Sequence, residues 1–150
     1  MKIIRENLLE FERGGDPMKT LGLGGLLDKI KKWLSPFLFK SQYQVNKDYM
    51  VNIVKGDFIN FQENIPQIPD YVRFNECQGS FIIDGKGLKD LFGCPKIVRG
   101  DFYVPNNEIQ NLNGSPEFVG GNYAISGNPV KFTEKQVRDI CHVEGKVIVW

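Results

Sequence analysis

The sequence is poor in the residues that most reaction centres need. Its 150 residues include a single histidine, His142, so no imidazole-based metal triad and no Ser-His-Asp set can be assembled. His142 follows Cys141, but side chains adjacent on a helix diverge, which argues against a thiol and its base. There are 3 cysteines, an odd number with no C-x-x-C, which speaks against both a disulfide framework and a structural zinc site. No stretch reaches the roughly 18 apolar residues of a membrane span, and Met1-Lys2-Ile3-Ile4-Arg5-Glu6 lacks a signal-peptide core, so the expected location is the cytoplasm. Charge of one sign is also scarce. The net charge is +1, which excludes a strong nucleic-acid footprint. The basic excess sits in residues 1–47, and Lys29, Lys31, Lys32 and Lys40 would give a salt slope of only about −3 to −4.

What is abundant is glycine and phenylalanine, 16 and 11 residues, a composition that favours a turn-rich fold containing β-structure. They are placed regularly. GSFIIDGKGLKDLFGCPKIVR (79–99) lies over GDFYVPNNEIQNLNGSPEFVG (100–120), and GNYAISGNPV (121–130) restarts the register. Phe81/Phe102, Leu91/Leu112, Gly93/Gly114, Pro95/Pro116 and Val98/Val119 coincide, and Ile83/Val104, Leu88/Ile109 and Ile97/Phe118 match in kind. A fixed period of this size predicts a solenoid.

Within a unit, Phe102, Val104, Asn107, Ile109 and Leu112 fit L-x-L-x-x-N-x-L-x-x-L, which resembles the shortest leucine-rich repeats. An asparagine at the turn out of a strand bonds the backbone groups that face inward there. Asn107 and Asn128 supply it, whereas Lys86 stands at that place in the unit before. Glycine at the Gly-Cys/Ser-Pro corner allows a left-handed turn, and proline starts the next extended run. Lys96-Ile97-Val98 then reads as a return segment burying Ile97 and Val98, and Cys94, aligned with Ser115, reads as a small residue in a tight corner.

Earlier in the chain, Asp16-Pro17 predicts a short helix over 17–21. Leu23, Leu26, Leu27, Ile30, Trp33 and Leu34 then form the apolar stripe of an amphipathic helix that ends at Ser35-Pro36. That helix has two readings. It either caps the open first coil, or it docks on a membrane surface or partner groove through Leu26, Leu27, Ile30, Lys31 and Trp33. Gly22-x-Gly24-Gly25 lacks the spacing of a phosphate loop. Residues 37–55 read as extended, with a strand or two, and Gly56-Asp57-Phe58 opens a degenerate coil of 23 residues running through Ile65, Ile68 and Val72 to Gly79. At the other end, Thr133-Glu134-Lys135-Gln136 fits a capping box, with Val137, Ile140 and Cys141 as the apolar face. Gly145 breaks the helix, and 146–150 is a closing strand.

The predicted fold is therefore mainly β with short helices: a leucine-rich-repeat-like solenoid of about three to four coils. Residues 1–47 form its helical N-terminal segment, 48–131 the solenoid and 132–150 a helix-plus-strand cap. The repeat with its G-x-P corner, FTEKQVRDICHVEGKVIV near the C-terminus and FERGGDPMKTLGLG near the N-terminus resemble small proteins of large tailed bacteriophages that carry degenerate leucine-rich repeats. The resemblance implies a solenoid in a phage or bacterial setting and no catalytic residues.

Strand residues alternate sides, so Phe81, Ile83, Phe102, Val104, Tyr123 and Ile125 should point inward and Ile59, Ile82, Tyr103 and Ala124 outward in one row. Phe61 and Pro105 would lie to one side of that row. Asp57, Ser80, Asp101 and Asn122 would lie to the other, with Asp84 nearby. An acidic column can be read as a glycosidase-like pair, but solvated acids on a sheet face are far commoner. The expectation is a non-enzymatic protein-binding module without cofactor or metal. It would act on a host protein as inhibitor or modulator, through Ile59, Phe61, Ile82, Asp84, Asp101, Tyr103, Pro105 and Ala124. The alternative is a structural or virion-associated protein tethered by its N-terminal segment.

Overall fold

A computed structural model describes residues 25–38, 40–60 and 64–150. The expected helix over 17–21, the Gly22-x-Gly24 stretch, Leu23 and Phe61 lie outside these. The described chain is a β-solenoid of about 4 turns. It begins with helix α1 (Leu26–Leu34) and a 3₁₀ turn (Ser35–Phe37). The strands that follow are β1 (Gln42–Val45), β2 (Met50–Lys55), β3 (Phe58–Ile59), β4 (Arg73–Cys77), β5 (Phe81–Ile82), β6 (Ile97–Val98), β7 (Phe102–Tyr103), β8 (Phe118–Val119) and β9 (Tyr123–Ala124). Helix α2 (Glu134–Ile140), β10 (His142–Val143) and β11 (Val147–Ile148) complete it.

Each coil gives one strand to each of two sheets. The five-stranded sheet runs β3-β5-β7-β9-β11 and is parallel throughout; the six-stranded sheet runs β1-β2-β4-β6-β8-β10 and is parallel except for the β1–β2 hairpin. The second sheet is a correction to the sequence reading. Lys96-Ile97-Val98 is not a plain return segment: Val98 points into the core, while Ile97, its neighbour in β6, points outward and is only half-buried. The expected boundary at 47/48 falls between the two strands of the β1–β2 hairpin.

An aromatic column holds the coils together. Phe58, Phe81, Phe102 and Tyr123 are in register and fully buried. Their rings follow one another at 4.7, 6.0 and 5.0 Å. Phe74, reaching in from the six-stranded sheet, meets Phe58 and Phe81 edge-on at 5.2 Å. Edge and stacked contacts of this kind add about 0.5–1.5 kcal/mol per pair to what burial contributes. Trp33 on α1 stacks on Phe58 at 6.0 Å, and Ile30 and Leu34 are completely buried, so α1 closes the first coil. Lys29 Nζ lies 4.6 Å from the centre of the Tyr71 ring and ties the polar side of the helix to the same coil.

The turns behave as their chemistry requires. Gly93 and Gly114 adopt φ +90°, a conformation closed to most side chains. Asn107 is buried and bonds two coils at once. Its Oδ1 accepts from the Lys86 and Leu88 amides at 2.9 and 3.2 Å, and its Nδ2 donates to the Ile83, Val104 and Pro105 carbonyls at 2.7, 3.1 and 3.1 Å. One asparagine therefore serves the preceding unit, where Lys86 stands in its place. Asn128 repeats the arrangement, accepting from Ile109 N and donating to Val104, Ile125 and Ser126 carbonyls.

At the C-terminal end the capping box forms, with Thr133 Oγ1 accepting from Gln136 N at 3.1 Å and Gln136 Oε1 accepting from Thr133 N at 2.8 Å. Val137 and Cys141 are buried, but Ile140 is 47% exposed, against expectation. The reason is that Cys141 has already left the helix (φ −143°, ψ 130°), so it, and not Ile140, turns into the core. The helix thus ends at Ile140 and not at Gly145, and the residues between supply β10. Among the described residues no helix is long and apolar enough to cross a membrane.

Candidate functional site

On the outer face of the five-stranded sheet, Ile59, Ile82, Tyr103, Ala124 and Ile148 share one register column. At about 4.8 Å per strand the column is about 19 Å long. Ile59, Ile82 and Ile148 are half-buried, and Tyr103 is 39% exposed. Ala124 is 1% exposed, which corrects its expected place on the free surface. It does point outward, but its methyl lies between the larger side chains of Tyr103 and Ile148 in the neighbouring strands, which hide it. Pro105 is also buried instead of flanking the row. It sits in the turn around Asn107, its carbonyl accepting from the Asn107 amide at 3.1 Å and from Gly85 N at 3.1 Å.

The polar column beside the row has a role that the sequence reading missed. Asp57 Oδ1 accepts from Ser80 N at 2.7 Å, and Ser80 Oγ from Asp101 N at 2.9 Å. Asp101 Oδ1 then accepts from Asn122 N at 2.8 Å, and Asn122 Oδ1 from Lys146 N at 2.9 Å. Each side chain reaches under the next coil and takes the amide that the sheet leaves free. The glycine before it makes the space. A Cβ on Gly79, Gly121 or Gly145 would collide with Asp57, Asp101 or Asn122 Oδ1 respectively, and with the backbone of the coil below. The signal was present in the sequence as a glycine followed by a short acceptor side chain at Gly56-Asp57, Gly79-Ser80, Gly100-Asp101 and Gly121-Asn122. Asp101 is thus a brace between coils as well as an exposed acid. Asp84 is exposed, its Oδ1 accepting from Asn106 Nδ2 at 3.1 Å.

The outer face of the six-stranded sheet carries Glu76, Ile97, Phe118 and His142 in one column. Arg99 Nε donates to Glu76 Oε2 at 3.0 Å and its guanidinium lies 5.5 Å from the Phe118 ring centre. Phe118 stacks on His142 at 5.5 Å with planes 4° apart, and His142 Nε2 meets Glu144 Oε2 at 2.8 Å.

Of the docking-helix residues, Ile30 is completely buried, Leu26, Leu27 and Trp33 are half-buried, and Lys31 is exposed. The apolar side of α1 is occupied by the first coil, which supports the cap reading. The thiols are held neutral: burial pushes Cys77 and Cys141 up to about 11 and raises Cys94 further. Cys141 faces the core while His142 lies outward on Phe118, so the two are not a catalytic pair. Among the described residues no group of three or more His, Cys, Asp or Glu side chains is arranged to hold a metal ion. In comparisons with protein-family models, curated proteins and solved structures, the chain matches none of them.

Proposed function

We propose that the protein is a non-enzymatic protein-binding module that grips its partner with the outer face of the five-stranded sheet. The observation that carries this reading is the continuous apolar column Ile59–Ile82–Tyr103–Ala124–Ile148, with a tyrosine standing 39% exposed at its middle. Aromatic and aliphatic side chains held on a rigid ladder lose little entropy on contact, which is what the centre of an interface needs. Asp84 and Asp101 are exposed beside it and favour a partner with an apolar patch rimmed by basic groups. The resemblance to tailed-phage proteins supports a bacterial host protein as that partner, bound in the host cytoplasm and inhibited or redirected by binding.

The test is affinity capture from bacterial lysate with the unaltered chain, with Tyr103→Ala/Ile82→Ala, and with Phe118→Ala on the opposite sheet. A partner retained by the unaltered chain and by Phe118→Ala, and weakened about tenfold or more by the double variant, is the expected result. Equal retention by the unaltered chain and both variants would place binding elsewhere. Recovery of the chain with assembled virions and no soluble partner would favour the structural role.

A further inference from the structure

The two sheets are finished differently at the C-terminal end. In the six-stranded sheet, Arg99 N donates to Cys77 O at 2.9 Å, Gly120 N to Val98 O at 2.8 Å and Glu144 N to Val119 O at 2.9 Å. The alternation of a parallel ladder turns the N–H and C=O of Val143 away from β8, and Arg138 covers the carbonyls at that end. Nη1 donates to Val143 O at 2.8 Å and Nη2 to Gly145 O at 3.0 Å, while Nε is held by Glu134 at 2.8 Å. In the five-stranded sheet, Tyr123 N donates to Lys146 O at 2.8 Å and Ile125 N to Ile148 O at 2.9 Å. The alternation of a parallel ladder then turns the N–H and C=O of Val147 and the N–H of Val149 away from β9. Among the described residues these groups make no other hydrogen bond, and no side chain caps them as Arg138 caps the carbonyls of the other sheet. The residues Val147 to Trp150 are uncharged, and Trp150 is 80% exposed. Unpaired backbone flanked by apolar side chains is a template for another strand.

We propose that a second copy of this chain adds its β11 to this edge, antiparallel, about a two-fold axis passing beside Ile148. The edge is complementary to itself. With Ile148 at the axis, Val147 pairs with Val149 of the partner subunit, and donor and acceptor of each residue meet their opposites. The same register brings Lys146 opposite Trp150 of the partner subunit, a cation facing an aromatic ring. Arg138 covers the carbonyls at the C-terminal end of the other sheet, and pairing of β11 with its own copy uses up this edge, so the contact closes as a dimer instead of running on as a fibre. The inference stands whether or not the outer face binds another protein. If it does, two apolar columns are joined across the axis.

Sedimentation of the full chain across micromolar to millimolar concentration tests it. The expected result is a monomer–dimer equilibrium. Val149→Pro deletes an N–H that bonds nothing among the described residues, so it should weaken the dimer about thirtyfold while leaving the melting temperature of dilute protein unchanged. Should that variant fold poorly, Ile148→Cys decides. Residues facing each other across an antiparallel pair have Cα atoms about 4.5 Å apart, within reach of a disulfide, so mild oxidation should link the dimer there and leave Ile59→Cys monomeric. A chain that stays monomeric throughout overturns the proposal, and protection of the Val147 and Val149 amides in that monomer would show that the chain's own residues cover the edge. A dimer indifferent to both substitutions is joined elsewhere and overturns it equally.

Discussion

The two sheets come from the same coils, yet they use most of their polar side chains differently. Beside the five-stranded sheet, Asp57, Ser80, Asp101 and Asn122 are committed to the backbone of the next coil. What remains facing outward there is the apolar column around Tyr103. On the six-stranded sheet Arg99 pairs with Glu76 and His142 with Glu144 across the surface, and the outward Phe118 ring is covered by Arg99 and His142, although Asn52 Oδ1 also accepts from Glu76 N of the next coil at 3.2 Å. Polar groups bonded downward into the stack leave a surface open, whereas polar groups bonded sideways close it.

Substitutions can break this contrast, beginning with the largest expected effect. Phe102→Ala removes the middle of the buried column and should cost about 4 kcal/mol in chemical denaturation, whereas Phe118→Ala on the outer face of the other sheet should cost about 1 or less. Gly121→Ala forces a Cβ onto Asp101 and the Gly100 carbonyl and should cost about 3 kcal/mol. Gly87→Ala, where nothing stands within 4 Å but φ is +80°, should cost about 1 kcal/mol from backbone conformation alone.

The brace itself is tested by Asp101→Ala, expected to lose about 1–2 kcal/mol, against Asp101→Asn, which keeps an acceptor oxygen and should be nearly neutral. Arg99→Ala should lose about 0.5 kcal/mol, less in high salt, because its ion pair is half exposed to solvent. The smallest effect is alkaline. The Cys77 and Cys141 thiols titrate at about 11 in the fold against an ordinary 9.0. Folding is favoured by the neutral form, so this contribution is complete below about pH 9 and is lost as pH rises through about 11. Unfolding midpoints measured across that window should decline, and Cys77→Ala should shallow the decline.

How much of this was legible depended on how long each pattern ran. The period, the inward Phe81–Phe102–Tyr123 column, the buried Asn107, the α1 stripe from Leu26 onward and the Thr133–Gln136 box each repeat or span several residues, and each stands as read. The six-stranded sheet did not show because β6 and β8 are two residues long, too short for alternation to register, and β4 (Arg73–Cys77) is partly polar. The burial of Ala124 and Pro105 depends on the size of neighbours in other coils, which no spacing along one unit reveals. The glycine-plus-acceptor pairs were visible, but their meaning needed the coil above. Without it, Asp57 and Asp101 read only as acids on a face.

The stacked glycines carry a consequence for how this chain can vary. Gly100 N donates to Gly79 O and Gly121 N to Gly100 O, both at 2.9 Å, so each unit offers upward what it receives from below. Excising residues 100–120 would set Ser80 Oγ beneath Asn122 N and Gly79 O beneath Gly121 N, restoring both bonds in kind, while the buried Tyr123 hydroxyl would lose its Ser115 partner. The whole unit is thus the natural increment of this architecture, and gaining or losing one would change the reach of the exposed face by one rung.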